Sequence, residues 1–147
     1  LPDRSDPADA LGVAESTGAF YDPVIAGSFF SLGFNPDVNL GFGGNIELGF
    51  PKFILNGPGN DIKIFEVTGG TSYPDEKVKV EASKDGTTWT LLAASVARDA
   101  EVDLGILGWA KYVRVTDVSN RADFESTADG YDLDGVKALN CVPEIAE

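Results

Sequence analysis

Asp129, Asp132 and Asp134 stand within the run Asp129-Gly130-Tyr131-Asp132-Leu133-Asp134-Gly135-Val136, in a chain that has no histidine. Carboxylates crowded this closely repel, and they stay ionised side by side when a cation or several backbone donors lie among them. A hard cation held by oxygen ligands, calcium above all, is the simplest chemistry for such a set. Residues two apart on a strand share a face, so Asp132 and Asp134 are expected to project together with Cα atoms about 7 Å apart. Calcium takes about six to eight oxygens at about 2.3–2.6 Å, which carboxylates and loop carbonyls can supply jointly. The alternative is a solvated strand edge, where charges discourage addition of a foreign strand. An EF-hand is excluded by spacing. Aligning Asp132, Asp134 and Gly135 with that loop puts its first ligand on Gly130 and its last on Cys141.

Histidine is the commonest general base and the commonest zinc ligand, so its absence turns the reading away from an enzyme. A hydrolytic triad lacks its imidazole. Asp132 and Asp134 do fall within the separation of about 5–9 Å that glycoside hydrolysis uses, so a carboxylate-based glycosidase stands as a third alternative. Gly41-Phe42-Gly43-Gly44 has neither the lysine nor the following helix of a phosphate loop and reads as a turn.

The elements that must position these groups are short strands. The chain has 147 residues, 43% hydrophobic and 24% charged, which suits one globular domain. Its 17 glycines and 8 prolines suit strands joined by turns. Apolar and polar residues alternate through Ile46-Glu47-Leu48-Gly49-Phe50 and Lys77-Val78-Lys79-Val80-Glu81-Ala82, the period of a half-buried strand. Further strands are expected at 29–34, at 62–67 in a central position, at 88–92 with Trp89 and Leu91 inward, and at 101–104, 110–116 and 131–139. Pro51 and the cluster Asn56-Gly57-Pro58-Gly59-Asn60 should break the chain, and Asp85-Gly86 should form a hairpin turn. The organisation expected is an N-terminal arm over 1–21, an antiparallel β-sandwich over 22–141 and a tail over 142–147.

A net charge of −13 opposes approach to nucleic acid or an anionic membrane. A cation or a neutral polymer such as a polysaccharide is the better partner. No apolar run is long enough to span a membrane. Cys141 is alone, so no internal disulfide can form, and it reads as a small apolar residue closing the last strand. The chain begins at Leu1 and has no methionine, from which export and an extracellular or cell-surface location are expected.

The run Val78-Lys79-Val80-Glu81-Ala82-Ser83-Lys84-Asp85-Gly86-Thr87-Thr88-Trp89-Thr90-Leu91, with Ala110-Lys111-Tyr112-Val113-Arg114-Val115-Thr116 beyond it, resembles the central hairpin and next strand of discoidin-type, galactose-binding-like jelly rolls. Upstream pieces such as Asn56 to Glu66 and Gly41 to Leu48 are similar to exported bacterial and archaeal surface proteins of that kind. The resemblance implies a secreted, non-catalytic sandwich with a structural calcium ion, and it adds Asp61 and Glu66 to Asp129, Asp132 and Asp134 as candidate ligands. In an ideal strand Asp61 and Glu66 would face opposite sides, so either Asp61 belongs to the loop or one of the two is not a ligand. Trp109 after Gly108 and Tyr73 beside Pro74 fall in loops and are candidate sugar-stacking residues, with ordinary packing as the competing reading. Two functions follow as expectations. One is a binding or adhesion module for glycans. The other is a subunit of an extracellular filament, in which the arm over 1–21 adds a strand to a second copy of the chain.

Overall fold

The structure, a computed structural model, describes residues 6–12, 14, 29–32, 43–67, 74–124 and 130–141. Among them are the strands β1 (Phe30–Ser31), β2 (Asn45–Leu55), β3 (Ile62–Glu66), β4 (Val78–Ser83), β5 (Thr90–Val96), β6 (Glu101–Val102), β7 (Trp109–Asp117) and β8 (Asp132–Ala138). They form two four-stranded antiparallel sheets, ordered β1-β8-β3-β6 and β2-β7-β4-β5. The chain is an all-β antiparallel sandwich, and β3 lies inside its sheet as expected. Helical structure among the described residues is limited to 3₁₀ turns at Pro7–Ala10 and Arg121–Asp123, so no helix there is long and apolar enough to cross a membrane.

Alternation along the strands builds the core. Ile62, Ile64 and Leu133 from one sheet meet Ile46, Leu48, Val78, Val80, Val113 and Val115 from the other. Burying an Ile, Leu or Val side chain contributes about 1.5–3 kcal/mol, so this double layer dominates the stabilisation.

Bulges account for the departures from expectation. Pro51 lies inside β2 rather than ending a strand, because the β2–β7 register shifts between Gly49 and Ile54. A proline, which cannot donate to the ladder, is tolerated where the ladder is interrupted. Trp89 and Leu91 do not face the core. Leu91 is 55% exposed, and the Arg114 guanidinium lies 4.4 Å from the ring centroid of the half-buried Trp89. Register shifts between β4 and β5 move the alternation by one, so that Leu92 and Ala93 pack on the core instead.

Part of the expected arm rests on the sandwich of its own chain. Asp6 accepts from Ala8 N at 2.9 Å, Ala10 is buried in the core, and the 3₁₀ turn packs against β1 and β8. The other residues of 1–21, and those of the expected tail over 142–147, lie outside the described residues. Cys141 follows β8, forms an isolated bridge with Ile54 and is exposed rather than closing the strand as a buried apolar residue.

The Asp85-Gly86 turn stands where the sequence predicts it. The amides of Thr88 and Thr87 donate to the Asp85 carboxylate at 2.9 and 2.8 Å and hold its pKa below the usual range. Gly86 has φ +78°, and a Cβ there would meet the Tyr112 ring at 3.6 Å, an ordinary contact. The cost of Gly86→Ala therefore comes from the left-handed backbone alone. Urea denaturation should show a loss of about 1–2 kcal/mol with an unchanged m value, and an unaltered midpoint would contradict this turn geometry.

Candidate functional site

Carboxylates at inward-facing strand ends make the site. On β3 the inward positions are Ile62, Ile64 and Glu66, and on β7 they are Val113, Val115 and Asp117. Antiparallel pairing sets Val78 opposite Asp117 and Leu133 opposite Glu66, which brings the ends of β3 and β7 and the starts of β4 and β8 to one end of the sandwich. Glu66 and Asp117 are buried there. Glu76, just before β4, and Asp132, the first residue of β8, join them.

These acids differ in how their charge is met. Asp117 accepts from Tyr131 N at 2.6 Å and Ser119 N at 2.8 Å; burial raises its pKa while these bonds pull it down. Asp132 accepts from the Ser31 hydroxyl. Glu66 and Glu76 instead hydrogen-bond each other through their side chains, and a bond between two carboxyl groups requires a proton on one of them. Burial, first of all, pushes Glu66 up to about 8 and Glu76 up to about 11, and Asp132 adds repulsion to both. Asp99, with φ 54°, accepts from Glu66 N at 3.5 Å and is paired with Arg98 at 3.3 Å.

Tyr131 closes the group from the core side. Its ring is fully buried and its hydroxyl has no hydrogen-bond partner among the described residues. Burial raises the phenol pKa, and the charges of Glu66, Asp99 and Glu76 raise it further, so the hydroxyl remains a donor facing an acidic surrounding. A buried hydroxyl without a partner costs free energy on the order of 1–3 kcal/mol, and a bound group that accepts from it would remove that cost.

The donors at this end are hard oxygens, the set that suits calcium or magnesium rather than zinc. Among the described residues no three carboxylates close on a common point as a formed metal cage. The place where a cation could enter is the Glu66–Glu76 contact, now bridged by a proton.

The structure brings Glu66 and Asp132 together and separates them from Asp61. Asp61 is fully buried at the opposite end of β3, in the loop before the strand, which resolves the parity conflict. Its carboxylate is already engaged by protein donors: Gly57 N at 2.8 Å, Asn140 Nδ2 at 2.8 Å and Leu104 N at 2.9 Å. It pins three loops to one another and is no partner of Glu66. Asp134 is buried at the bulge where the β3–β8 register slips, so the ideal alternation that would pair it with Asp132 is interrupted there. Asp129 and Tyr73 lie outside the described residues. Glu76, Asp117, Asp99 and the Tyr131 hydroxyl belong to the group and were not expected there. A signal for Asp117 was present, an acid in phase with Val113 and Val115.

Trp109 stands at the other end, at the start of β7. Asn56 Nδ2 donates to the carbonyls of Gly105 and Leu107, both at 2.9 Å, and so fixes the loop that delivers it. Phe53 of β2 lies beside Trp109 with ring centroids 4.8 Å apart and planes tilted by 56°. Lys111 Nζ is 4.9 Å from the Phe53 centroid, and Lys84 Nζ is 5.2 Å from that of Trp109. Phe53 is 45% exposed, so the pair forms an open aromatic shelf. An exposed cation–π contact is worth about 0.5–1 kcal/mol, weak enough for either lysine to swing onto a ligand.

No protein-family model and no curated protein matches the chain. Among solved structures, the C-terminal domain of a chitobiase from Bacteroides fragilis aligns at a TM-score of 0.44 and 18% identity, over 67% of this chain and 64% of that one. A family 89 glycoside hydrolase from Clostridium perfringens, solved in complex with its substrate GlcNAc-alpha-1,4-galactose, aligns at a TM-score of 0.42 and 19% identity, over 70% of this chain and 11% of that one.

Asp61→Ala should strand buried donors and cost about 3 kcal/mol or more in chemical denaturation, without changing the response of the protein to calcium. A smaller loss, or an abolished calcium response, would return Asp61 to the list of ligands. In chelator-treated protein the raised folded-state values mean that the native state binds more protons than the unfolded state above the ordinary 4.5. The stabilisation from the pair is complete below that value and is lost as pH rises through about 8 and beyond. Melting temperature should therefore fall steadily between about pH 5 and pH 9, and a flat or rising profile would contradict a protonated pair.

Proposed function

We propose that the chain is a non-catalytic β-sandwich binding module, exported to the cell surface, which calcium stabilises at the acidic end and which engages glycan through Trp109 and Phe53 at the other. One observation carries the reading: buried Glu66 and half-buried Glu76 held together by a proton, beside Asp132 and under a hydroxyl with no partner among the described residues. A divalent cation in place of that proton would let Glu66, Glu76 and Asp132 ionise together, and the Tyr131 hydroxyl could then donate to a ligand oxygen or bound water. The ion would neutralise charge and tie the starts of β4 and β8 to the end of β3. The likeness of the central hairpin to galactose-binding-like jelly rolls supports both halves.

The non-catalytic reading draws on the same geometry. Glycoside hydrolysis uses carboxyl groups about 5 Å or more apart with substrate between them. Glu66 and Glu76 are in contact, and Glu66 is buried.

Calcium at a hundredfold excess over its Kd should stabilise the protein by about 2.7 kcal/mol, or roughly 5–10 °C in melting temperature. The double substitution Glu66→Gln, Glu76→Gln should abolish that increment and raise the melting temperature of chelator-treated protein near neutral pH, because the desolvated acids are gone. Differential scanning calorimetry with calcium and with chelator tests both. Identical wild-type curves in the two conditions would end the cation reading and leave the fold untouched.

A further inference from the structure

We infer that the Phe53–Trp109 shelf selects an acidic glycan, with a sugar ring lying on the aromatic faces and its anionic group meeting Lys84 and Lys111. This rests on the glycan-binding reading above and adds the charge class of the ligand, whereas the net charge of −13 by itself favours a neutral one. The decisive contrast is among the cations on one outer sheet face. Arg114 is neutralised, its guanidinium donating to Glu81 at 3.1 and 2.8 Å and to Glu47 at 3.4 Å. Lys79 is paired with Glu81 at 3.3 Å. Lys84 and Lys111 have no carboxylate within ion-pair distance among the described residues, and each sits over an aromatic ring instead.

In a chain with 24 acidic residues, two neighbouring ammonium groups without an ion-pair partner among the described residues leave a local positive patch. Asp85, beside Lys84 in sequence, is turned to the hairpin amides through Oδ1 and forms no ion pair with Lys84. Lys63 over Phe65 on the other sheet repeats the motif with one ring and one ammonium, without a second ring among the described residues to form a shelf. The carriers are well held. Phe53 and Trp109 sit on neighbouring strands, and Lys84 comes from the β4–β5 turn. An aromatic face carries negative charge and an ammonium positive, so the combination matches a ligand with an apolar ring face and an anionic substituent. A carboxylated or sulfated sugar has both. An acidic peptide offers the anion but no flat ring face for the shelf.

Isothermal titration at about 50 mM salt with oligogalacturonate, a neutral oligogalactose of equal length, a sulfated heparin-derived oligosaccharide and polyglutamate tests the inference. An acidic sugar should bind roughly three- to tenfold tighter than the neutral one, the range expected for exposed charge contacts. Which of the two acidic sugars is preferred identifies the anion. Lys84→Gln with Lys111→Gln should erase the preference, Lys84→Arg with Lys111→Arg should keep it, and Trp109→Ala should weaken acidic and neutral sugars alike. Unchanged melting temperatures certify the variants, and the wild-type comparisons decide without them. Equal binding of acidic and neutral sugars overturns the selectivity and leaves the glycan reading standing. Polyglutamate binding as well as the acidic sugars overturns it in favour of an acidic peptide. No binding of any sugar overturns both.

Discussion

Burying a carboxylate in an apolar sandwich is the constraint on which the rest of this structure depends, and the chain answers it in three ways. An ionised group taken out of water is costly unless donors or a counter-charge replace the lost solvent. Asp61 is met by three protein donors. Asp117 is met by backbone amides. Glu66 and Glu76 are met by each other and by a proton, with the Arg98 charge favouring ionised Glu66 and Asp132 repelling both. Where the protein supplies its own donors the acid is architectural. Where it supplies further acids and a buried hydroxyl without a partner among the described residues, a proton keeps one of the two glutamates neutral.

The two kinds of site occupy opposite ends. Strand β7 carries Trp109 at its first residue and Asp117 at its last, so the aromatic shelf and the acidic group are separated by roughly 26 Å of extended chain. A cation among Glu66, Glu76 and Asp132 could not touch a ligand on Phe53 and Trp109. Its effect there would pass through stability of the whole sandwich. The Trp109 loop has fasteners of its own in Asp61 and Asn56, which hold Leu104, Gly105 and Leu107. The two ends of the sandwich are thus separately built.

Local pattern made the strands legible, and long-range register hid the site. Alternation in Ile46 to Phe50 and Val78 to Ala82 marks β2 and β4, and Asp85-Gly86 marks the turn between β4 and β5, because these signals are complete within a few residues. Which strand ends meet is a property of pairing, and no single segment records that Glu76 will stand beside Glu66. Bulges then defeat even correct strands. The slip between Phe65 and Glu66 interrupts the alternation through Asp132 and Asp134, and the shifts between β4 and β5 turn Leu91 outward. Of the three clustered aspartates, Asp132 stands at the acidic end and Asp129 lies outside the described residues, while Glu76, the neighbour of Asp132 there, carried no local signal.

Net charge and local charge act over different distances, which is why an acidic chain can carry a shelf for an acidic ligand. At physiological ionic strength the Debye length is about 8 Å, so carboxylates gathered at the far end of β7 are screened from the shelf. What a bound anion senses is Lys84 and Lys111, within contact range. The summed charge of −13 acts on the approach, slowing encounter with other polyanions and keeping copies of the chain apart. Selectivity of this kind comes from contacts formed after encounter, on a rigid sheet face, where aromatic rings decide whether the anion is carried by a sugar.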